Sequence, residues 1–129
     1  MALVVDDEFL IAIEMEAILA SAGFEVMSAV SVSEAERLAA ARAAHVAVLD
    51  FRMGDGAHHF ARRLRDDGVP LLFCTGSMVE EVHALFPGAM VISKPFIADA
   101  LLESVRNLLA ANAARASDAD TADRTAPGR

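Results

Sequence analysis

Four short apolar runs, each ending in residues that bind or react, constrain this chain more than any other feature. Val46-Ala47-Val48-Leu49 runs straight into Asp50, followed by Phe51-Arg52. Ala2-Leu3-Val4-Val5 ends in Asp6-Asp7-Glu8, Leu71-Leu72-Phe73-Cys74 in Thr75-Gly76, and Met90-Val91-Ile92 in Ser93-Lys94-Pro95. Uninterrupted apolar runs of this length are expected of strands buried on both faces. In an open parallel sheet, ligands and chemistry gather beyond the carboxyl ends of the strands. If the four runs are parallel neighbours, carboxylates, a hydroxyl and an amine arrive at one rim. A lone Asp after an apolar run is ordinarily a cap or a turn residue. Four such endings in order exceed what capping requires.

Helical patterns lie between the runs. Ile11, Met15, Ile18, Leu19 and Ala22 recur at helical spacing over residues 9–22, and Gly23 supplies a C-terminal stop. Phe24 to Ser28 reads as a strand with no chemistry at its end, which suits a sheet edge. Ser31 and Ser33 are overlapping N-cap candidates, each with a Glu three residues on, for an Ala-rich helix to about residue 43. Met53-Gly54-Asp55-Gly56 is a turn by composition. The next helix, over 57–66, buries Phe60, Ala61 and Leu64 and presents Arg62, Arg63 and Arg65 to solvent. A weak helix over 77–85 ends at Phe86-Pro87-Gly88. The last helix, from about 97 to 114, carries Leu101, Leu102, Val105, Leu108 and Leu109.

Five β and five α elements in strict alternation predict an α/β fold, a doubly wound five-stranded parallel sheet with helices on both faces. Right-handed crossovers place the first and third strands side by side, bringing Asp6, Asp7 and Asp50 together. One domain is expected over residues 1–114. Residues 115–129 have no apolar face to bury and are predicted to be a disordered tail.

Composition narrows the function. The net charge of −8 argues against nucleic acid and against anionic membrane surfaces, both of which favour basic patches. The single Cys74 excludes an internal disulfide and agrees with a reducing compartment; within its apolar run it reads as a buried hydrophobe. Asp6, Asp7 and Glu8 interrupt the N-terminus before a signal-peptide core can form, and no apolar stretch nears the ~20 residues of a spanning helix. A cytoplasmic location is the expectation. His58 and His59, about 100° apart on a helix, cannot chelate one ion together, and they read as a solvated helix N-terminus. Met78, Val79 and Val82, with Val91 and the last helix, form either an exposed apolar patch or core.

Three carboxylates at close range repel one another unless a cation sits among them. Mg²⁺ suits such a site, because it accepts one or two carboxylates plus water and phosphate oxygens. Asp50 is then a candidate nucleophile that forms an acyl phosphate. Lys94 would neutralise the added charge, and the Thr75 hydroxyl would donate to the phosphoryl oxygens. Catalysis of this kind is mainly positioning and charge cancellation.

With these residues in this order, the sequence resembles the receiver domain of two-component response regulators, from Leu3 to about Leu109. The motifs that carry the resemblance are Val4-Val5-Asp6-Asp7-Glu8, Leu49-Asp50, Thr75-Gly76 and Lys94-Pro95-Phe96. It implies the flavodoxin-like receiver fold with strand order 2-1-3-4-5. It also implies Mg²⁺ held by Asp7 directly, by Asp6 through water, by Asp50 and by the Arg52 backbone carbonyl. Asp50 becomes the phosphoacceptor, Thr75 and Lys94 the phosphoryl-binding switch residues, and the Lys94–Pro95 bond cis. Arg52 and Ser77 occupy positions that tune dephosphorylation in the family. Many receivers carry an aromatic switch residue three positions before the lysine, where this chain has Val91. Pro70, Phe73, Thr75 and Gly76 partly match a pattern of single-domain receivers that lack the aromatic, and Leu71 and Cys74 break it.

The implied function is that of a stand-alone response regulator. It would take a phosphoryl group from a sensor histidine kinase or histidine phosphotransfer protein and switch protein–protein interactions. Such a protein is a phosphoacceptor that assists its own phosphorylation and dephosphorylation, not an enzyme acting on other substrates. Three alternatives stay open. The chain could be the receiver part of a longer regulator or hybrid kinase, or a phosphorylation-independent binding module. A haloacid-dehalogenase-like phosphatase is the third, although that chemistry wants an Asp where Arg52 stands.

Overall fold

The computed structural model describes the backbone of residues 1–125 and the side chains of residues 1–115. The strands are β1 (Ala2–Val5), β2 (Val26–Ala29), β3 (Val46–Asp50), β4 (Leu71–Thr75) and β5 (Met90–Ser93). The helices are α1 (Phe9–Ser21), α2 (Val32–Ala41), α3 (Asp55–Asp66), α4 (Val79–Leu85) and α5 (Ala98–Thr125). All strands are parallel, in the order β2-β1-β3-β4-β5, as the alternation predicts.

The two-residue period of the strands sorts the core into two layers. Leu3, Val5, Leu49 and Phe73 face one side with Ala35 of α2 and Phe60 and Leu64 of α3. Ala2, Val4, Val48 and Leu72 face the other with Met15 and Leu19 of α1 and Leu101 and Val105 of α5. Every residue of β1 and β3 is buried, which is why their sequences are continuous apolar runs. Val5 pairs with Leu49, Asp50 with Cys74, and Thr75 with Ser93. This register aligns the carboxyl ends of four strands, so Asp6, Asp50, Thr75 and Lys94 emerge at one rim.

Several boundaries depart from the periodicity, each for a local reason. β2 begins at Val26, because the Phe24 N–H bonds to the Leu19 carbonyl and Gly23 sits at φ 94°, making Phe24 part of the α1 terminus. Ser31 caps α2, its hydroxyl accepting the Glu34 N–H at 3.1 Å, while Ser33 lies inside the helix, which ends at Ala41. α3 starts two residues early, at Asp55, directly after Gly54 at φ 90°, a conformation that favours glycine. α4 starts late, at Val79, because the Ser77 N–H is taken by the Thr75 hydroxyl in a turn.

The largest departure is α5, which continues from 114 to Thr125 where a disordered tail is predicted. Alanines at 110, 111, 113, 114 and 116 keep helix propensity high, and the first residue that must stop a helix is Pro127. The remainder of that expected tail, 126–129, lies outside the described residues. Among the described residues, no helix is long and apolar enough to cross a membrane.

Candidate functional site

β3 delivers Asp50 to the rim as its last residue, almost fully buried. Its Oδ1 accepts the Arg52 N–H at 3.1 Å, which turns the chain immediately after the strand. Asp6 follows β1 and is wholly buried; its Oδ1 accepts the Glu8 N–H at 2.9 Å and so leads the chain into α1. The other oxygen, Asp6 Oδ2, is buried without any well-formed hydrogen bond. Lys94 Nζ lies 2.8 Å from it, a close ion pair whose geometry is not that of an aligned hydrogen bond. The same ammonium stands 3.1 Å from Glu8 Oε1 and 3.5 Å from Asp50 Oδ2.

Lys94 is placed from both sides. Its backbone N–H donates to the Thr75 carbonyl at 2.9 Å, tying the ends of β4 and β5, and the Lys94–Pro95 bond is cis, as the resemblance implies. Thr75 is fully buried, and its hydroxyl oxygen accepts the Ser77 N–H at 2.9 Å. That bond leaves the hydroxyl hydrogen to be donated elsewhere.

Charge dominates the site. Asp6, Asp7, Glu8 and Asp50 each place one carboxylate oxygen within 4.8 Å of the others, and Lys94 is the ammonium set against them. Burial lifts the Asp50 carboxyl above its ordinary range; the Arg52 N–H pulls it down, the Asp6 charge lifts it again, Lys94 opposes, and Asp7 adds to the rise. Burial alone would lower Lys94. The Asp6, Glu8 and Asp50 carboxylates outweigh it and hold Lys94 above its ordinary value.

These residues fit a hard divalent cation. All four candidate donors are carboxylate oxygens, one of them, on Asp6, is buried without a hydrogen bond, and Asp7 and Glu8 reach in from the exposed side. An open cleft of about 630 Å³ lies over them, lined by Asp7, Glu8, Asp50, Arg52, Gly76 and Lys94. The predicted set of Asp6, Asp7, Asp50, Thr75 and Lys94 is therefore brought to one place.

Other residues depart from their sequence readings. Glu8, which the predicted ligand set omits, contacts Lys94 and joins the carboxylate cluster; its place third in the acidic triplet was the available signal. His58 is not simply solvated. Its ring stacks on Phe51 with centroids 4.6 Å apart, and its Nε2 lies 2.8 Å from the Phe51 carbonyl, so Nε2–H donates and pins the loop after Asp50. Arg63 and Arg65 are exposed, as the sequence reading expects, and Arg62 is half-buried; the guanidinium carbons of Arg62 and Arg65 also lie 5.4 and 5.8 Å from the centre of the Phe86 ring. Arg63 approaches Glu36 at 3.5 Å. The Arg52 side chain bonds to Ser77 Oγ and approaches Glu81. Val91 is half-buried against the core and pairs with Phe73. The apolar set on α4 divides: Val82 is core, and Met78 and Val79 are exposed.

A parallel sheet that gathers paired acids, a buried Asp, a threonine and a lysine at one rim defines a class of signalling domain. The model of the response regulator receiver domain matches residues 2–106, and the chain belongs to that family. It is similar to a CheY-like receiver domain protein from Methanospirillum hungatei, with 28% identity, TM-score 0.76, and coverage of 88% of this chain and 96% of that one. A receiver protein from Sinorhizobium medicae gives 29% identity and TM-score 0.76 over 86% of this chain and 94% of that one. NtrX from Brucella abortus, in complex with ADP, gives 26% identity and TM-score 0.85 over 96% of this chain, which spans only 29% of NtrX. No curated protein matches the chain.

Proposed function

We propose that residues 1–114 form a phosphoacceptor unit that receives a phosphoryl group on Asp50 from a phosphohistidine. The donor is a sensor histidine kinase or a histidine phosphotransfer protein. The observation that carries this reading is Lys94, held within 3.5 Å of Asp50 Oδ2 and of two further carboxylates. Asp50 Oδ2 attacks phosphorus, the P–N bond to the donor histidine breaks, and its electron pair leaves with the imidazole. The Lys94 ammonium and the Thr75 hydroxyl then face the new phosphoryl oxygens, where fixed donors cost no reorganisation. Asp6, Asp7, Asp50 and the Arg52 carbonyl would hold Mg²⁺, which when bound offsets the charge of the transferred group. The switched output is contact with a protein effector, in the cytoplasm, without nucleic acid or membrane. The conformational role of Val91 is passive, because a half-buried valine has no polar end to move between core and solvent.

Intact mass after incubation with acetyl phosphate and Mg²⁺ tests the reading. Wild type gains one phosphoryl group, ~80 Da for a single acyl phosphate, and Asp50→Asn gains none. A wild type that neither gains mass nor binds beryllofluoride would leave a phosphorylation-independent binding module as the better account.

Two observations favour a second reading, the receiver portion of a longer regulator. The likeness to NtrX extends over 96% of this chain with TM-score 0.85, against 88% and 0.76 for the Methanospirillum receiver, and α5 runs on to Thr125. The mass of the native gene product separates the stand-alone reading from this one.

A further inference from the structure

A chain of polar contacts leads from the cleft to α4. The Ser77 N–H donates to Thr75 Oγ1 at 2.9 Å, Arg52 Nε donates to Ser77 Oγ, and Arg52 Nη2 lies 3.4 Å from Glu81 Oε2. Ser77 is buried, whereas the Arg52 and Glu81 side chains are 66% and 51% exposed. The guanidinium is thus anchored at its inner end on a buried hydroxyl and rests at its outer end on a surface carboxylate. Arg52 also lines the cleft over Asp50. It stands between a permanent anion on α4 and a second anion that exists only when Asp50 is phosphorylated.

We propose that Glu81 is a positioning residue for Arg52. In the unmodified protein it holds the guanidinium against α4, and on phosphorylation Arg52 turns to the phosphoryl oxygens and releases Glu81. This rests on Asp50 being the phosphoacceptor, and it supplies a route to α4 in a chain whose position 91 is not aromatic. Three arguments support it.

The first is competition. An exposed ion pair is a weak contact, while a phosphoryl group carries about −1.5 to −2 charges and three acceptor oxygens that match a guanidinium fork. The second is the softness of α4. It has seven residues, the N-cap residue Met78 makes no side-chain cap, and Val82 is its one buried residue. A helix that short depends on tertiary contacts for its position. The third is connectivity. Thr75, which the proposed function sets against the same phosphoryl group, accepts the Ser77 N–H, so two members of the contact chain, Thr75 and Arg52, would meet the modified Asp50.

By linkage, if phosphorylation breaks the Arg52–Glu81 contact, then removing that contact must favour phosphorylation. The full chain with beryllofluoride and Mg²⁺ tests this. Hydrogen exchange is followed over 78–86 in wild type and Glu81→Gln, and beryllofluoride is titrated into both. In wild type, beryllofluoride is expected to speed exchange across α4. In Glu81→Gln, exchange is fast already, beryllofluoride adds little, and its affinity rises by up to about fivefold, the ceiling for an exposed pair. Unchanged beryllofluoride affinity in Glu81→Gln overturns the proposal, because a Glu81 that merely stabilises the first turn of α4 would alter exchange alone. An equal rise in α4 exchange in both proteins also overturns it. If wild type neither binds beryllofluoride nor takes up phosphoryl, the Asp50 reading falls and the coupling with it. Normal binding with an unaltered Glu81→Gln response removes the coupling only.

Discussion

Lys94 and Asp6 meet at 2.8 Å, joining the end of β5 to the end of β1 across the two strands between them. The contact matters because the Asp6 side chain is wholly buried. A buried carboxylate whose paired cation is removed loses its compensation for desolvation. Lys94→Met is therefore expected to destabilise the protein by about 2–4 kcal/mol in the absence of Mg²⁺, somewhat below the range for fully buried pairs because Glu8 is exposed. Urea denaturation checks this, and Asp6→Asn in the same background is expected to recover part of the loss. No recovery would mean that Lys94 stabilises through something other than Asp6.

Asp50 gives a pH dependence of defined sign. Its carboxyl is raised in the folded protein, chiefly by burial, so the folded state holds the proton to higher pH than the unfolded chain does. Stability then falls as pH rises from the ordinary carboxylate pKa through the raised one. The ionised Asp50 opposes folding at neutral pH. Asp50→Asn should raise Tm by a few degrees at pH 7 without Mg²⁺, and the gain should shrink as pH is lowered through the carboxylate range. A gain that stays constant down to pH 4 would remove ionisation as the cause.

Divalent metal should reverse that penalty. Mg²⁺ at a hundred times its Kd is expected to stabilise the wild type by about 2.7 kcal/mol through linkage. Asp7 is exposed and contributes to the carboxylate cluster, so Asp7→Asn should leave metal-free stability nearly unchanged and abolish most of the Mg²⁺ response. Thermal melts with and without Mg²⁺ decide it, and an undiminished response in Asp7→Asn would exclude that residue as a ligand.

The rings of Phe51, His58, Phe73 and Phe86 form a continuous cluster, with Phe73 and Phe86 centroids 4.8 Å apart. Phe86→Ala is expected to cost about 3–5 kcal/mol, the range for a buried phenylalanine. Arg62→Ala and Arg65→Ala should each cost under about 1 kcal/mol, as exposed cation–π contacts do. Urea midpoints measure both, and equal costs would contradict the burial of Phe86.

Ser31 and Ser33 present a finer contrast. Ser31→Ala removes a hydroxyl that accepts the Glu34 N–H and should cost about 1 kcal/mol. Ser33→Ala should fall within about 0.5 kcal/mol of wild type. The reverse ranking would move the start of α2.

Much of this protein was legible from its chain. The order of apolar runs required a doubly wound parallel sheet, and that topology alone carries Asp6, Asp50, Thr75 and Lys94 to one rim. Helix ends were less legible. α1 leaves Phe9, Leu10 and Ile13 exposed, but the face its spacing marks, Ile11, Met15, Ile18 and Leu19, is the one that packs into the core. The end of α5 has no mark in the apolar pattern, because an Ala-rich segment without an apolar face can continue a helix already nucleated.

What the sequence determined by itself are properties set along one dimension: strand and helix alternation, the two-residue and helical periods, and the carboxylates at the strand ends. Only the tertiary structure decided which long polar side chains have partners. Glu8 meets Lys94, His58 meets the Phe51 carbonyl, Arg62 and Arg65 lie over Phe86, and Arg52 reaches Ser77 and Glu81. Arg62, Arg65, His58, Glu8 and Arg52 have a solvated reading that is locally reasonable. Whether each also has a partner depends on which neighbour packing brings within a few ångströms, and that neighbour is as much as 86 residues away in the chain.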